Sequence, residues 1–328
     1  MPFRIKLTIT VLISVLAALV IVPLVLPIGE LADTVPEREL ARSDSAFVRI
    51  GELDVHVLEQ GSGEPAIILL HGFGASVLNW EDVRRPLSEL GRTVAFDRPG
   101  FGLTSRPLEW EGVNPYGMDG QLALLDDLMT ALDVEAAILV GHSAGGTLAA
   151  KFALERPERT LGLVLSSPAI HESGGPPAWA RPLLHTPQMN RLGPLVMRQF
   201  AGEPGEGLIR SAWSDPSRIS LEVLERYRVP LRAENWDYAL WELTKASRPT
   251  FVSGRLASLA VPTLVITGAD DEIVPVEHSR AVAAGIPDAR LEILPACGHV
   301  AHEECPTKFL AAVSPFIENA AKDAAAAP

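Results

Sequence analysis

Cysteine is almost absent from this chain: Cys297 and Cys305 are the two that occur in 328 residues. A scaffold held by several disulfides is therefore excluded. Neither cysteine stands in a metal-ligand spacing with the eight histidines, so no metal is expected. Positive charge is also short. Lys and Arg number 28 against 41 Asp and Glu, a formal net charge of -13 at pH 7. Nucleic-acid binding needs clustered cations facing phosphates, so no nucleic-acid partner is expected. Broad attraction to anionic lipid is disfavoured for the same reason. No internal repeat is present, so no repeat architecture is expected. What is present is apolar: 47% of residues are hydrophobic, enough for a sizeable core. The length allows one large domain with an appendage, or two ordinary domains.

One long uncharged run, Leu7 to Ile28, stands at the N-terminus. As a helix it would extend about 33 Å, close to the thickness of a bilayer's hydrocarbon core. Arg4 and Lys6 precede it, and Glu30, Asp33 and Glu37 follow. The positive-inside rule then leaves the N-terminus in the cytoplasm and the remainder outside. Pro23 and Pro27 weaken or kink the end of this helix. The expectation is a single-pass membrane anchor over residues 1–28, with an extracytoplasmic domain. A cleaved signal peptide, giving a secreted protein, is the alternative. The length of the run and the lack of an A-x-A-like site speak against it.

Residues 29–45 are polar and acidic and read as a linker. Ala46–Ile50 and Asp54–Glu59 are short strand candidates around a Gly51-Glu52 turn. Pro65–Leu70, Thr93–Phe96, Ala136–Val140, Leu161–Leu165, Val261–Thr267 and Arg290–Leu294 are apolar runs suited to strands buried on both faces. Helical periodicity separates them at Gln121–Leu132, Leu148–Glu155, Glu277–Ala284 and Pro306–Asn319. Such alternation predicts an α/β fold, a mostly parallel sheet with helices on both faces. It occupies residues 46–168 and 258–319. Residues 169–257 break the pattern. They contain four of the six tryptophans, Trp179, Trp213, Trp236 and Trp241. This stretch reads as a helical cap above the strand C-terminal ends, where ligands bind in open α/β sheets. Its tryptophans serve either a ligand or the cap's own small core. The Ala-rich tail, 320–328, is expected to fray.

Gly141-His142-Ser143-Ala144-Gly145 lies between a strand candidate and a helix candidate. A serine on such a sharp turn projects its hydroxyl above the sheet edge. The Ala144 N–H opens the following helix, where backbone favours negative charge. A nucleophile and half of an oxyanion hole thus fall within two residues. Serine needs a base of pKa near neutral, and histidine needs a carboxylate to fix its tautomer. Asp270-Asp271 follows the strand ending at Thr267-Gly268, and Gly298-His299 follows the last strand. Both stand at the sheet edge that carries Ser143.

The order Ser, Asp, His, with His71-Gly72-Phe73-Gly74 and Asp97-Arg98-Pro99-Gly100-Phe101-Gly102 after the first two buried strands, resembles the α/β-hydrolase superfamily. The resemblance runs from about Phe47 to Ile317, apart from the cap. With an N-terminal anchor, the chain is similar to the membrane-anchored esterases and monoacylglycerol lipases of that superfamily. The resemblance implies Ser143 as nucleophile and His299 as base. It implies Asp271 as the triad acid, three residues after Gly268, with Asp270 as the alternative. It implies the N–H groups of Phe73 and Ala144 as the oxyanion hole. The implied reaction is hydrolysis of carboxylic esters, carboxylesterase- or lipase-like, through an acyl-enzyme and with no cofactor. The partners implied are a small, moderately lipophilic ester and the membrane. Carbon–carbon hydrolases of aromatic ring-cleavage pathways share the triad. They typically carry Trp after the catalytic histidine, where this chain has Val300. Cofactor-free haloperoxidases or perhydrolases share the triad too. A ligand-binding module on the same fold is the non-enzymatic reading. His71 and His142 are expected to orient loops, Asp97 and Arg98 to fix a turn, and His302 to lie at the surface or cap a helix. Cys297 and Cys305 are expected as two buried thiols, with a disulfide as the alternative.

Overall fold

A computed structural model describes residues 3–29, 31–170 and 175–326. Eight strands form one sheet: β1 (Ser45–Ile50), β2 (Leu53–Gln60), β3 (Ala66–Leu70), β4 (Arg92–Phe96), β5 (Ala137–His142), β6 (Thr160–Ser166), β7 (Thr263–Gly268) and β8 (Arg290–Leu294). Their order is β1-β2-β4-β3-β5-β6-β7-β8. Strand β2 runs antiparallel to both neighbours, and every pair from β4 onward is parallel. The period-two alternation of strand side chains splits the core in two. In β3, Ala66, Ile68 and Leu70 pack on one face, while Ile67 and Leu69 pack on the other.

The helices are α1 (Phe3–Val25), α2 (Glu81–Ser88), α3 (Met118–Ala131), α4 (Ala144–Glu155), α5 (Arg181–Leu184), α6 (Pro187–Met197), α7 (Glu203–Ser211), α8 (Leu221–Arg228), α9 (Trp236–Ala246), α10 (Val276–Gly285), α11 (Ala301–Glu304) and α12 (Pro306–Ala326). Residues of α3, α4 and α10 cover the first face of the sheet. Residues of α2 and α12 cover the second. Between β6 and β7 the described residues hold five helices, α5 to α9, and no strand. Trp236, Leu240 and Trp241 of α9 form a separate core there with Met197 and with Phe101 from below. Trp213 packs with Val223 and Val300, and Trp179 is 76% exposed. Three of the four tryptophans in this region are thus packing residues.

Two segments differ from the sequence expectation. Residues 31–45 are not a free linker: Val35 donates to the Arg232 carbonyl, and its own carbonyl accepts from Glu234. Arg42 meets Glu81, and Arg84 meets Asp44. Glu30 and residues 327–328 lie outside the described residues. The tail is helical as far as Ala326, since α12 continues through it. Alanine has the best helix propensity, and Ala320 is buried against the sheet. Helix α1 contains Pro23 and ends two residues later.

Candidate active site

The turn between β5 and α4 places Ser143 at φ 51° and ψ -118°, a strained backbone for a residue with a side chain. Ser143 N–H donates to the Ser166 carbonyl, and the Ser143 carbonyl accepts from Thr147 and Ala169. These bonds hold the strained residue between β6 and α4. Two glycines make the turn feasible. A Cβ on Gly141 would lie 2.6 Å from the Gly145 carbonyl oxygen, and one on Gly145 would collide with the Leu70 carbonyl. Ala144 opens α4, so its N–H is one of the helix's unsatisfied donors.

The loop after β3 is fixed from beneath. His71 Nδ1 is 2.8 Å from the Gly72 carbonyl oxygen, and its Nε2 accepts from the Arg98 N–H at 3.0 Å. That pairing sets the neutral tautomer with the proton on Nδ1. Burial pushes the His71 pKa down to about 3, with Arg98 adding to the effect. The Arg98 guanidinium donates to the Gly72 carbonyl at 3.0 Å and to Gln121 at 2.8 Å. Asp97 accepts from the Val77 and Leu103 N–H groups and stands 2.6 Å from His56 Nδ1. Burial opposes its charge, but these hydrogen bonds hold its pKa below the usual carboxylate range.

Asp271 and His299 meet. His299 Nδ1 is 2.9 Å from Asp271 Oδ2 and 3.1 Å from Oδ1. The Ile273 and Val274 N–H groups also donate to Asp271 Oδ1. Asp270 is exposed and accepts from Ser214 Oγ at 2.7 Å, away from His299. Ser143 and His299 line one cavity of about 180 Å³. Among the described residues no hydrogen bond joins Ser143 Oγ to His299; such bonds are often long without substrate.

Two expectations are corrected. Cys297 and Cys305 form a disulfide, with Cα atoms 6.1 Å apart. The chain between them turns back through α11, which brings the two cysteines within bridging distance. His302 is buried, not at the surface. Its ring lies 4.3 Å from the Trp80 ring and 4.6 Å from that of His142. His142 in turn lies 4.7 Å from His299, and its Nε2 is 3.1 Å from the His299 carbonyl oxygen. Burial pushes the His302 pKa down to about 3 and that of His142 well below its ordinary value. Of this stack, His299 is the imidazole held by a carboxylate through hydrogen bonds.

The sequence reading also missed two carboxylates. Glu303 lies 2.6 Å from the Tyr227 hydroxyl and 3.1 Å from Asn79 Nδ2, and burial pushes it up to about 7. Glu304 accepts from the Gly298, Ser214 and Asp215 N–H groups. Apart from Gly298, their partners come from the cap and from a distant turn, so spacing carries no signal for them.

Two cavities flank the serine, and Phe73 lines both. The smaller one is walled by Phe200, Leu208, Ile209, Leu231, Ile273 and Val300. The larger, about 370 Å³, lies on the Ala144 side and carries Arg98, Gln121, Thr147 and Arg248. No acidic side chain lines either among the described residues.

The model of the alpha/beta hydrolase fold family matches residues 65–306, and the chain belongs to that family. It is similar to a 2-hydroxy-6-oxo-6-phenylhexa-2,4-dienoate hydrolase of Burkholderia cepacia, at 31% identity over 309 residues, 86% of this chain and 99% of that one. In structure it is similar to an esterase from Thermogutta terrifontis, with TM-score 0.69 and 26% identity over 86% of this chain and all of that one. A bacterial membrane phospholipase A gives TM-score 0.66 and 25% identity, covering 97% of this chain and 98% of that one.

Proposed function

We propose that this protein is a serine hydrolase acting on an acyl compound, with Ser143 as nucleophile, His299 as base and Asp271 as the acid that orients it. The observation that carries the reading is the meeting of Ser143 and His299 at one cavity, with Asp271 hydrogen-bonded behind the imidazole. Ser143 Oγ bonds to the substrate carbonyl carbon as His299 Nε2 takes its proton. The Phe73 and Ala144 N–H groups receive the oxyanion. His299 then returns the proton to the leaving atom, and an acyl-serine remains. Water, deprotonated by His299, releases the acid and restores Ser143.

For the bond broken, carbon–carbon cleavage of a 2-hydroxy-6-oxodienoate is the first reading. It is supported by the Burkholderia relative's activity and by the contrast between an arginine-bearing cavity and an apolar one. Such a substrate has a carboxylate end and an aryl or alkyl end. Its leaving carbon needs an electron sink: a shift of the 2-hydroxyl proton to C5 first gives the 2-oxo-3-enoate, and the conjugated C2 ketone then takes the electron pair of the broken C5–C6 bond. Ester cleavage is the second reading. Val300 in the apolar wall and the esterase and phospholipase likenesses favour it. Helix α1 supports membrane attachment: Thr8–Val25 has a mean hydropathy of 2.8 and stays largely exposed, although its C-terminal part touches α6.

Turnover of 2-hydroxy-6-oxo-6-phenylhexa-2,4-dienoate, followed by loss of its visible absorbance, tests the first reading. p-Nitrophenyl esters of increasing acyl length run beside it, with full-length protein and S143A. A higher kcat/KM on the dienoate supports carbon–carbon cleavage, and the reverse supports ester cleavage. Activity that survives in S143A contradicts both.

A further inference from the structure

The backbone around His299 is held largely by the cap. His299 N–H donates to the Ala212 carbonyl at 2.7 Å, and Val300 N–H approaches the same oxygen at 3.4 Å. The residue before the histidine, Gly298, donates to Glu304 Oε2 at 2.6 Å. The same oxygen accepts from Ser214 N–H at 3.1 Å, and Oε1 accepts from Asp215 N–H at 3.0 Å. Arg218 donates to the Glu304 carbonyl at 2.7 Å and lies 3.7 Å from Oε1. Glu304 is 1% exposed. A Cβ on Gly298 would stand 2.5 Å from the Ala212 carbonyl oxygen, so cap and histidine loop lie in direct backbone contact there.

We propose that Glu304 is a positioning residue for His299, and that it acts by fastening cap segment 212–215 to the histidine loop. Asp271 fixes the imidazole ring at Nδ1, which leaves the ring free to swing with its own backbone. Glu304 fixes that backbone. One carboxylate gathers N–H groups from loop and cap, and charge-assisted bonds of this kind are short and directional. The disulfide between Cys297 and Cys305 closes the loop at its base but supplies no donor to Glu304. A shift of His299 by about 1 Å costs on the order of 10²-fold in rate, because proton transfer depends steeply on placement.

The inference rests on the reading of His299 as the base, and the test separates the two. Full-length wild type, E304Q and R218A are titrated with a fluorophosphonate to count reactive serines, then assayed on a p-nitrophenyl ester per labelled site. Glutamine keeps the size of Glu304 but has a single acceptor oxygen for the loop and cap donors. Arg218 touches Glu304 from the solvent side, so R218A leaves the buried carboxylate in place and guards against a folding failure in E304Q. The expected result is kcat per labelled site at least tenfold lower in E304Q and two- to fivefold lower in R218A, with KM within twofold of wild type. Wild-type kcat per labelled site in either variant, or a loss that falls on KM, overturns the inference and leaves the hydrolase reading standing. Absence of labelling and turnover in wild type overturns both.

Discussion

Asp270 and Asp271 are chemically identical neighbours, and their surroundings separate them. The Ile273 and Val274 N–H groups turn Asp271 toward His299, while Asp270 faces Ser214 at the surface. D271N is expected to lower kcat by roughly 10²- to 10⁴-fold, since the wrong imidazole tautomer then forms. D270N is expected to change it by less than about threefold, because exposed substitutions of this kind are nearly neutral; steady-state kinetics on one substrate compares them. Protonation of the buried histidines sets a second expectation. His71 and His302 are held near pKa 3, and His142 is lowered as well. The unfolded chain binds their protons below about pH 6.5, whereas the folded chain does not. Stability is therefore full above that pH and falls as pH drops from about 6.5 toward 3. Glu303, raised to about 7, pulls the opposite way between about pH 4.3 and 7, one group against three. Thermal melts across pH should show a steep acid-side loss, and H302F should flatten it. A melt that is level from pH 7 to pH 4 would contradict these burial effects.

At the level of elements, the histidine loop and the cap are one mechanical unit. Reducing Cys297–Cys305, or replacing both with serine, should cost about 2–3 kcal/mol, given the short loop it closes. It should also lower kcat with little change in KM; a denaturant titration and an assay in reductant measure the two effects. The core of the fold was readable in the sequence. Strands β3, β5 and β7 are continuous apolar runs because both faces are covered, and the serine, aspartate and histidine follow the ends of β5, β7 and β8. Helix α2 was not readable. Its sequence, EDVRRPLS, is charged and contains Pro86, and packing of Val83 and Leu87 under the sheet overrides its composition. The disulfide and the burial of His302 were misread for one reason. Both depend on the fold-back through α11, which four residues of sequence do not announce. Glu303 and Glu304 were invisible because, Gly298 apart, their partners belong to elements far away in the chain.

Over the whole molecule, an acidic hydrolase domain is joined to one apolar helix that packs beside the cap. Gln188 of α6 donates to the Val20 carbonyl, and Arg191 and Arg198 donate to those of Leu26 and Gly29. Leu26 and Gly29 follow the last helical residue, Val25, so the two arginine bonds fall on carbonyls outside the helix's own ladder. Full-length protein is expected in the membrane fraction after a carbonate wash, and residues 29–328 expressed alone in the soluble fraction. Release by carbonate would contradict an anchor, pointing to peripheral attachment if the released protein has its full mass and to a cleaved segment if the mass is reduced. The proposed chemistry turns on Ser143 as the activated nucleophile. Intact mass after treatment with a fluorophosphonate tests it most directly. One adduct is expected on wild type, mapped to Ser143, and none on S143A. An unlabelled wild type, or an adduct that persists in S143A, would contradict it.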